Sequence, residues 1–131
     1  MILDSSAAVS VIFRESNYGL LTRAIAGSSE VSIGAPTLFE TEIVVARRHD
    51  RAARQLVAEF LENHGVSILS FDRRHWDLAA DAFIRFGKGR HPARLNYGDC
   101  MTYATARVAS EPLLFLGNDF SRTDLTPALA V

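Results

Sequence analysis

The chain has 131 residues, of which 48% are hydrophobic and 22% charged, and its net charge is −1. These values are typical of one globular domain with a buried core, and they exclude a disordered chain and one whose overall charge attracts nucleic acid. A nucleic-acid partner would have to bind a local basic surface. The single cysteine excludes an internal disulfide and a zinc cluster built from several thiolates.

We expect the first residues to carry no export signal. The segment MILDSSAAVSVIFRE is apolar, but it contains Asp4 and lacks the positive start and the cleavage site of a signal peptide. No window approaches the ~20 apolar residues of a membrane-spanning helix. Because no repeat or linker divides the sequence, we expect a complete cytoplasmic protein that is one domain over residues 1–131 and has no membrane contact.

Short apolar segments alternate with segments of helical periodicity along the chain. Ser5 or Ser6, Asp72 and Asn96 stand where they would cap helices, and Pro36 suits a first helical turn. In chain order, the predicted elements are a strand at 1–3, helices after Ser5 or Ser6 and after Ser16, a strand at 31–33, helices from Pro36 and through Leu56, a strand at 66–69, helices after Asp72 and Asn96, and strands at 113–116 and 128–131.

This order predicts an α/β fold, a three-layer α/β/α sandwich with a central, mainly parallel sheet of four to five strands. Ligands of such sheets bind beyond the carboxyl ends of the strands. Asp4 directly follows the first strand, and Asp119 lies three residues beyond Leu116. Glu40 and Asp99 lie in early turns of helices that enter from the same edge. We therefore expect these four carboxylates to converge.

Converging carboxylates repel one another unless a cation lies between them. Mg²⁺ fits such a place, because it takes one or two carboxylates and keeps several waters. A site of this kind can activate a water molecule and stabilise charge on a phosphoryl oxygen. The acidic residues therefore favour phosphodiester hydrolysis.

Each acid also has a structural interpretation. Asp4 could serve a helix start or a turn, Asp99 could help to close the start of its helix, and Asp119 could be a turn residue. Glu40 could be a solvated helix residue, and Glu42 competes with it for the site. These two glutamates point about 200° apart around a helix and cannot share one pocket. The sequence pattern does not choose between them.

A basic segment precedes LNYGDC, and its ten residues 85–94 contain no acid. Such charges bind a phosphate backbone, although a solvated loop has the same composition. Because the segment lies just ahead of Asp99, we expect it to bind RNA. Its basic residues are Arg85, Lys88, Arg90, His91 and Arg94, and we assign RNA binding to Lys88, Arg90, His91 and Arg94.

The segment LNYGDC itself combines several expected roles. Asn96 would start a helix, Gly98 would leave room at the floor of the pocket, and Asp99 would face the metal. Cys100 is expected to turn inward with no catalytic role. Tyr97 could stack on a base or pack against the protein.

Four segments in this order resemble the motifs of PIN-domain ribonucleases: MILDSSA, FETEIVV, LNYGDC and LLFLGNDFSRTDL. Over essentially its whole length, the chain resembles the VapC toxins of bacterial toxin–antitoxin pairs. The resemblance implies an endoribonuclease that depends on Mg²⁺, for which Mn²⁺ can substitute. It also implies a homodimer, inhibited by a VapB-like antitoxin whose C-terminal segment fills the active-site groove.

The resemblance also assigns roles to residues of this chain. The family glutamate falls on Glu40, in the motif FET, and not on Glu42. The family aspartates fall on Asp4 and Asp99, which would hold the metal. Together with the fourth acid, these residues would form the catalytic set.

The fourth acid departs from the commonest family pattern. In many members an aspartate stands where this chain has Gly117. The resemblance carries the role to Asp119, just before a phenylalanine, with Asp124 and Asn118 as alternatives. The catalytic set is then Asp4, Glu40, Asp99 and Asp119.

Three other functions share parts of this pattern. A phospho-receiver domain needs a second acid after the first strand and a lysine at a late strand end, whereas here Asp4 is followed by serines and the only lysine is Lys88. An RNA-processing PIN nuclease without an antitoxin and a non-catalytic binding module are the others. Apolar residues of the early helices, among them Val11, Leu20 and Phe39, are expected to supply surface for a second copy or the antitoxin.

Overall fold

The computed structural model describes residues 1–129. This part of the chain contains one sheet covered by helices on both faces, together with short 3-10 helices at Asp50–Ala52 and Phe120–Arg122. The strands are β1 (Ile2–Leu3), β2 (Val31–Gly34), β3 (Val66–Leu69) and β4 (Leu113–Leu114); the helices are α1 (Ser5–Ile12), α2 (Tyr18–Ala26), α3 (Ala35–His49), α4 (Ala53–His64), α5 (Arg73–Phe86) and α6 (Tyr97–Ala109).

The sheet has the order β3-β2-β1-β4, and every pair of neighbouring strands is parallel. The predicted α/β class and central parallel sheet are therefore confirmed, with four strands. The apolar run at 113–116 pairs only through its first two residues. Beyond β4, Pro127 makes a single parallel bridge to Leu113. The strand expected at 128–131 lies partly outside the described residues, because 130 and 131 are not among them.

Apolar side chains fill the space on both faces of the sheet, which gives the three predicted layers. One cluster joins the sheet to α1, α2 and α4, with Leu3, Leu21 and Phe60 among its buried members. The other joins the sheet to α5 and α6 through residues such as Phe86 and Tyr103. Among the described residues, no helix is long and apolar enough to cross a membrane.

Polar caps set the starts of three helices. Asp72 and Asn96 each form a capping box, as the sequence predicts for a helix start. The expectation that Ser5 or Ser6 caps α1 is wrong, because Asp4 is the cap and accepts a hydrogen bond from the Ser6 N–H. The second helix also begins later than predicted from Ser16, at Tyr18, and no side chain caps it.

The early helices expose fewer apolar side chains than expected. Val11 and Leu21 are buried in the core, whereas Leu20 and Phe39 remain exposed. A helical stripe alone does not distinguish these cases, because a helix packed on two sides buries more than one stripe. Any partner surface on these helices is therefore smaller than the sequence indicates.

Candidate active site

The strand order places a crevice between β1 and β4. The chain builds the sheet outward through β1, β2 and β3 and then returns to add β4 on the other side of β1. In doubly wound sheets, ligands bind at such a reversal, outside the carboxyl ends of the strands. Asp4 directly follows β1, and its N–H donates to the Leu114 carbonyl at 3.0 Å. The first acidic residue thus lies at the crevice.

Asp4 is held by α1 and by the end of β4. Its side chain is buried, and its Oδ2 accepts the Ser6 N–H at 3.1 Å and the Ser6 hydroxyl at 2.6 Å. The Ser6 oxygen in turn accepts the Leu116 N–H at 3.0 Å. Both bonds reach the same carboxylate oxygen, so within residues 1–129 Oδ1 has no hydrogen bond and is available to a cation.

Asp99 lies in the first turn of α6. Its Oδ2 accepts the Asn96 N–H at 3.0 Å, and its own N–H donates to Asn96 Oδ1 at 2.8 Å. The capping interpretation of Asp99 is therefore correct, but the cap uses only one carboxylate oxygen. Asp99 can therefore cap the start of α6 and still offer its other carboxylate oxygen to a ligand.

The electrostatic surroundings of Asp99 bring the four acids together. Burial and the nearby carboxylates of Asp4, Asp119 and Glu40 together raise its pKa from 3.8 to about 6, against the lowering effect of the Asn96 hydrogen bond. These three carboxylates act in the same direction as burial, because like charges nearby disfavour the ionised form of Asp99. The four acids from distant parts of the chain thus share one electrostatic environment.

Glu40 reaches this region from the second turn of α3. Its carboxylate lies directly over the backbone of Gly98, so close that a Cβ at that position would overlap Oε2. The other candidate, Glu42, points elsewhere and accepts a hydrogen bond from Arg54 at 2.8 Å. The structure therefore brings Glu40, and not Glu42, to the neighbourhood of Asp99.

Asp119 follows a tight turn beyond β4. Gly117 has φ +91°, a conformation that favours glycine, and Phe120 is buried against Phe115, which anchors the segment on the far side. Asp119 itself is exposed, and it is near enough to Asp99 to raise the pKa of that residue.

The alternative fourth acid, Asp124, is engaged elsewhere. It accepts hydrogen bonds from the Tyr103 hydroxyl at 2.7 Å, from Arg107 at 2.8 Å and from Arg85 at 3.3 Å. These contacts tie the C-terminal segment to α5 and α6. Asp124 is therefore a structural residue, and Asp119 is the acid that the fold brings to Asp99.

The donor set suits a hard divalent cation. Among residues 1–129, no group of three or more His, Cys, Asp or Glu side chains forms a ready-made metal cage. Mg²⁺ does not need one, because it is commonly bound by one or two carboxylates and several waters. In the described part of the chain, Asp4 and Asp99 each have one carboxylate oxygen that accepts no hydrogen bond. These residues fit Mg²⁺ or Mn²⁺.

Comparison with known proteins identifies the family. A family model described as "PIN domain" matches residues 1–125. The chain belongs to the PIN-domain family. Ribonuclease VapC36 of Mycobacterium tuberculosis is 44% identical over 126 residues, which cover 95% of this chain and 91% of that protein. Ribonuclease VapC42 of the same species is 39% identical over 129 residues, or 98% of each chain.

A solved structure shares the fold of this PIN domain. The crystal structure of Mycobacterium tuberculosis VapC20, a Sarcin-Ricin loop cleaving toxin, matches with a TM-score of 0.77 over 95% of each chain, at 18% identity. At that identity the likeness establishes the fold alone. The strand order also excludes a phospho-receiver domain, whose sheet follows the order 2-1-3-4-5.

The basic loop of this PIN domain closes on itself. Gly87 and Leu95 form a backbone bridge, so the loop leaves and returns at one point, four residues before Asp99. Its expected RNA-binding residues all line one open cavity of about 470 Å³: Lys88, Arg90, His91 and Arg94.

The side chains of this loop differ in their freedom. Lys88 and Arg94 are exposed and make no ion pair within the described part of the chain. Arg90 donates to the Ile84 carbonyl, and His91 accepts the Ala93 N–H. Arg85 is not part of this basic surface, because it pairs with acids at 3.3 Å.

Two neighbours of Asp99 have opposite surroundings. Cys100 is buried, and burial with the nearby Asp99 raises the pKa of its thiol to about 11, as expected for an inert residue. Tyr97 is 81% exposed and so does not pack into the core. It lines an apolar groove of about 370 Å³ between α5 and α6, together with Trp76 and Phe83.

Two positions make contacts that the sequence did not predict. Ser6 was expected only as a possible helix cap, yet its hydroxyl links Asp4 to the backbone of Leu116. Gly98 was expected to leave room at the pocket floor, and the structure shows that Glu40 fills that room. For the link through Ser6, the only available signal in the sequence was a serine two residues after Asp4.

Proposed function

We propose that this chain is the toxin of a type II toxin–antitoxin pair and acts as a divalent-metal-dependent endoribonuclease. Its substrate is RNA, whose phosphodiester bonds it hydrolyses in the cytoplasm. The curated relatives that carry the name ribonuclease VapC support this proposal, because they match almost the whole chain at 37–44% identity. We also propose that residues 1–131 act as one domain.

One observation carries the proposal. Burial, and with it three carboxylates from separate elements, raises the pKa of the Asp99 carboxyl. Repulsion between these carboxylates lowers the stability of the folded protein. A functional site that binds a cation explains why the acids are nevertheless placed together, because the cation neutralises them. The position of these acids outside the carboxyl ends of β1 and β4 supports the same conclusion.

The four acids divide into two roles in this proposal. Asp4 and Asp99 would hold Mg²⁺, or Mn²⁺ in its place, through their free oxygens. When bound, the cation would lower the pKa of a water and stabilise negative charge on the scissile phosphate. Glu40 and Asp119 would orient the attacking water, and one of them would accept its proton. The water oxygen bonds to phosphorus as the bond to the leaving oxygen breaks.

The basic loop would hold the RNA backbone near these acids. Within residues 1–129, Lys88 and Arg94 have no competing ion pair, so they can pair with phosphate groups. Arg90 would contribute the guanidinium nitrogens not used by the Ile84 carbonyl. His91 would contribute to the shape of the loop and present its second ring nitrogen.

The proposal includes two protein partners, a second copy of the chain and a VapB-like antitoxin. Two groups of exposed apolar side chains within residues 1–129 suit such contacts. One includes Phe39 and Ile68 near the outer edge of the sheet, and the other includes Trp76 and Phe83 beside α6. Exposed apolar surfaces of this kind are typical of protein contacts.

An RNA cleavage assay tests the proposal. The purified protein should cleave RNA with Mg²⁺ and lose this activity with a chelator. Asp99→Asn should abolish cleavage, whereas Asp77→Asn should not, because Asp77 is an exposed acid of α5 without a hydrogen bond or ion pair among the described residues. Cleavage by Asp99→Asn at the wild-type rate, or in the presence of chelator, would refute it.

A further inference from the structure

A glycine stands in the first turn of α6, where the backbone does not require one. Gly98 is the second residue of the helix, and its φ angle is not positive. Glycine is a poorer helix former than alanine, and it becomes necessary mainly where φ is positive or another group approaches closely. Backbone conformation therefore does not explain Gly98.

The close approach comes from the Glu40 carboxylate. A Cβ built on Gly98 would overlap Glu40 Oε2, and it would lie 3.1 Å from Cδ and 3.2 Å from Oε1. All three atoms belong to the reactive end of the side chain. Even the smallest side chain at position 98 would occupy the place that this carboxylate now holds.

The helix backbones leave little room for adjustment at this contact. The Thr37 and Thr102 hydroxyls are hydrogen-bonded at 2.9 Å across the interface between α3 and α6. Glu40 lies three residues after Thr37, and Gly98 lies four residues before Thr102, so both contacts belong to the same helix faces. The packing against α6 is also tight one turn further along, where a Cβ on Gly34, the last residue of β2 and the N-cap of α3, would lie 2.7 Å from Thr105 Oγ1.

We infer that Gly98 is a positioning residue: its missing side chain admits the Glu40 carboxylate to the surface of α6 beside Asp99. The inference rests on the proposed function, because it assigns Gly98 to the same acidic site. With alanine at this position, the flexible end of Glu40 moves and the helices stay in place. The site then keeps all four acids but holds one of them in the wrong position.

The chain provides a matched control for this substitution. Gly19 is likewise the second residue of its helix, α2, and a Cβ there would make only an ordinary contact of 3.6 Å with Arg23. Gly98→Ala should reduce kcat on the order of 100-fold, as expected for a group misplaced by about 1 Å, and leave KM unchanged. Gly19→Ala should leave kcat unchanged. Neither variant should unfold at a lower temperature than the wild type.

A shorter acid provides the rescue experiment. Glu40→Asp withdraws the carboxylate by one carbon, so in the wild type it should lower kcat. In the Gly98→Ala background the same change relieves the overlap, and the double variant should be at least as active as Gly98→Ala alone. Independent losses that multiply in the double variant would overturn the inference, and so would a Gly98→Ala variant with the wild-type kcat.

A crystal structure of metal-free Gly98→Ala tests the geometry without any activity. The Glu40 carboxylate should be displaced from α6, with the Thr37–Thr102 hydrogen bond intact. An undisplaced carboxylate, with α6 shifted instead, would overturn the inference. This measurement does not depend on RNA cleavage. A wild-type protein that does not cleave RNA would refute the proposed function, whereas an undisplaced carboxylate in Gly98→Ala would refute only the inference.

Discussion

The charge of Asp99 should make the metal-free protein less stable at neutral pH, and Asp99→Asn should relieve this. In the unfolded chain the Asp99 carboxyl loses its proton near pH 3.8, whereas burial and the surrounding acids raise its pKa to about 6 in the folded protein. Between these values the folded state binds more protons, so the free energy of unfolding falls as the pH rises. Above pH 6 the full penalty is present.

The size of the penalty follows from the pKa. Each tenfold change in proton affinity is worth about 1.4 kcal/mol, so a pKa of about 6 in place of 3.8 sets a ceiling of roughly 3 kcal/mol. The side chain is partly exposed, and screening by solvent reduces this value, so we expect about 1–2 kcal/mol. For a domain of this size, that is a rise in melting temperature of roughly 3–10 °C.

Thermal unfolding in the presence of a chelator measures the effect. Asp99→Asn should melt above the wild type at pH 7.5, and the difference should vanish below pH 4. Mg²⁺ should then raise the melting temperature of the wild type and leave that of Asp99→Asn unchanged. Asp77→Asn serves as the control and should match the wild type throughout. A variant that melts at or below the wild-type temperature at pH 7.5 would refute the reasoning.

Three further substitutions test separate parts of the structure. The double variant Lys88→Gln, Arg94→Gln should bind RNA more weakly than the wild type. The slope of log affinity against log salt should fall by about 0.7 for each phosphate contact that is lost. An unchanged slope would show that the loop does not bind the RNA backbone. Ser6→Ala removes the hydroxyl that links Asp4 to the Leu116 N–H, so it should cost about 1–2 kcal/mol of stability and lower kcat. Ser6→Thr keeps a hydroxyl and should behave as the wild type. Equal behaviour of the two variants would contradict this role of the hydroxyl. Asp124→Asn should lower the melting temperature at pH 7, and this difference should shrink as the pH falls below 3.8. Burial raises the pKa of Asp124, but its hydrogen bonds and the neighbouring arginines outweigh burial and lower it, so the stability that the carboxylate contributes is lost as the pH falls. A reduced kcat in the folded variant would make Asp124 a candidate acid again.

Local sequence signals were sufficient for much of the fold. The strand β3 has the predicted bounds because its apolar run is bracketed by Gly65, which ends α4 in the left-handed conformation, and by Asp72, which caps α5. The strand β4 is shorter than predicted. Leu116 is apolar, but its backbone N–H donates to the Ser6 hydroxyl and does not pair with a neighbouring strand. Apolar character indicates burial and does not indicate which neighbour the backbone pairs with.

The sequence was sufficient to predict which acids form the site, but not how their side chains are arranged. Four acids at strand ends and helix starts could be recognised from position alone, and the structure brings the other three around Asp99. The choice of Glu40 over Glu42 depended on family resemblance, since the periodicity of one helix cannot show which face meets another helix. The contact of Glu40 with Gly98 depends on the packing of α3 against α6, which no local pattern encodes.

A metal titration tests most directly the claim that Asp4 and Asp99 share one divalent cation. Calorimetry with Mn²⁺ should show saturable binding to the wild type and to Asp77→Asn. Asp4→Asn and Asp99→Asn should each lose it, and the double variant should be no worse than either single one. Wild-type Mn²⁺ affinity in both single variants, with RNA cleavage retained, would contradict the account.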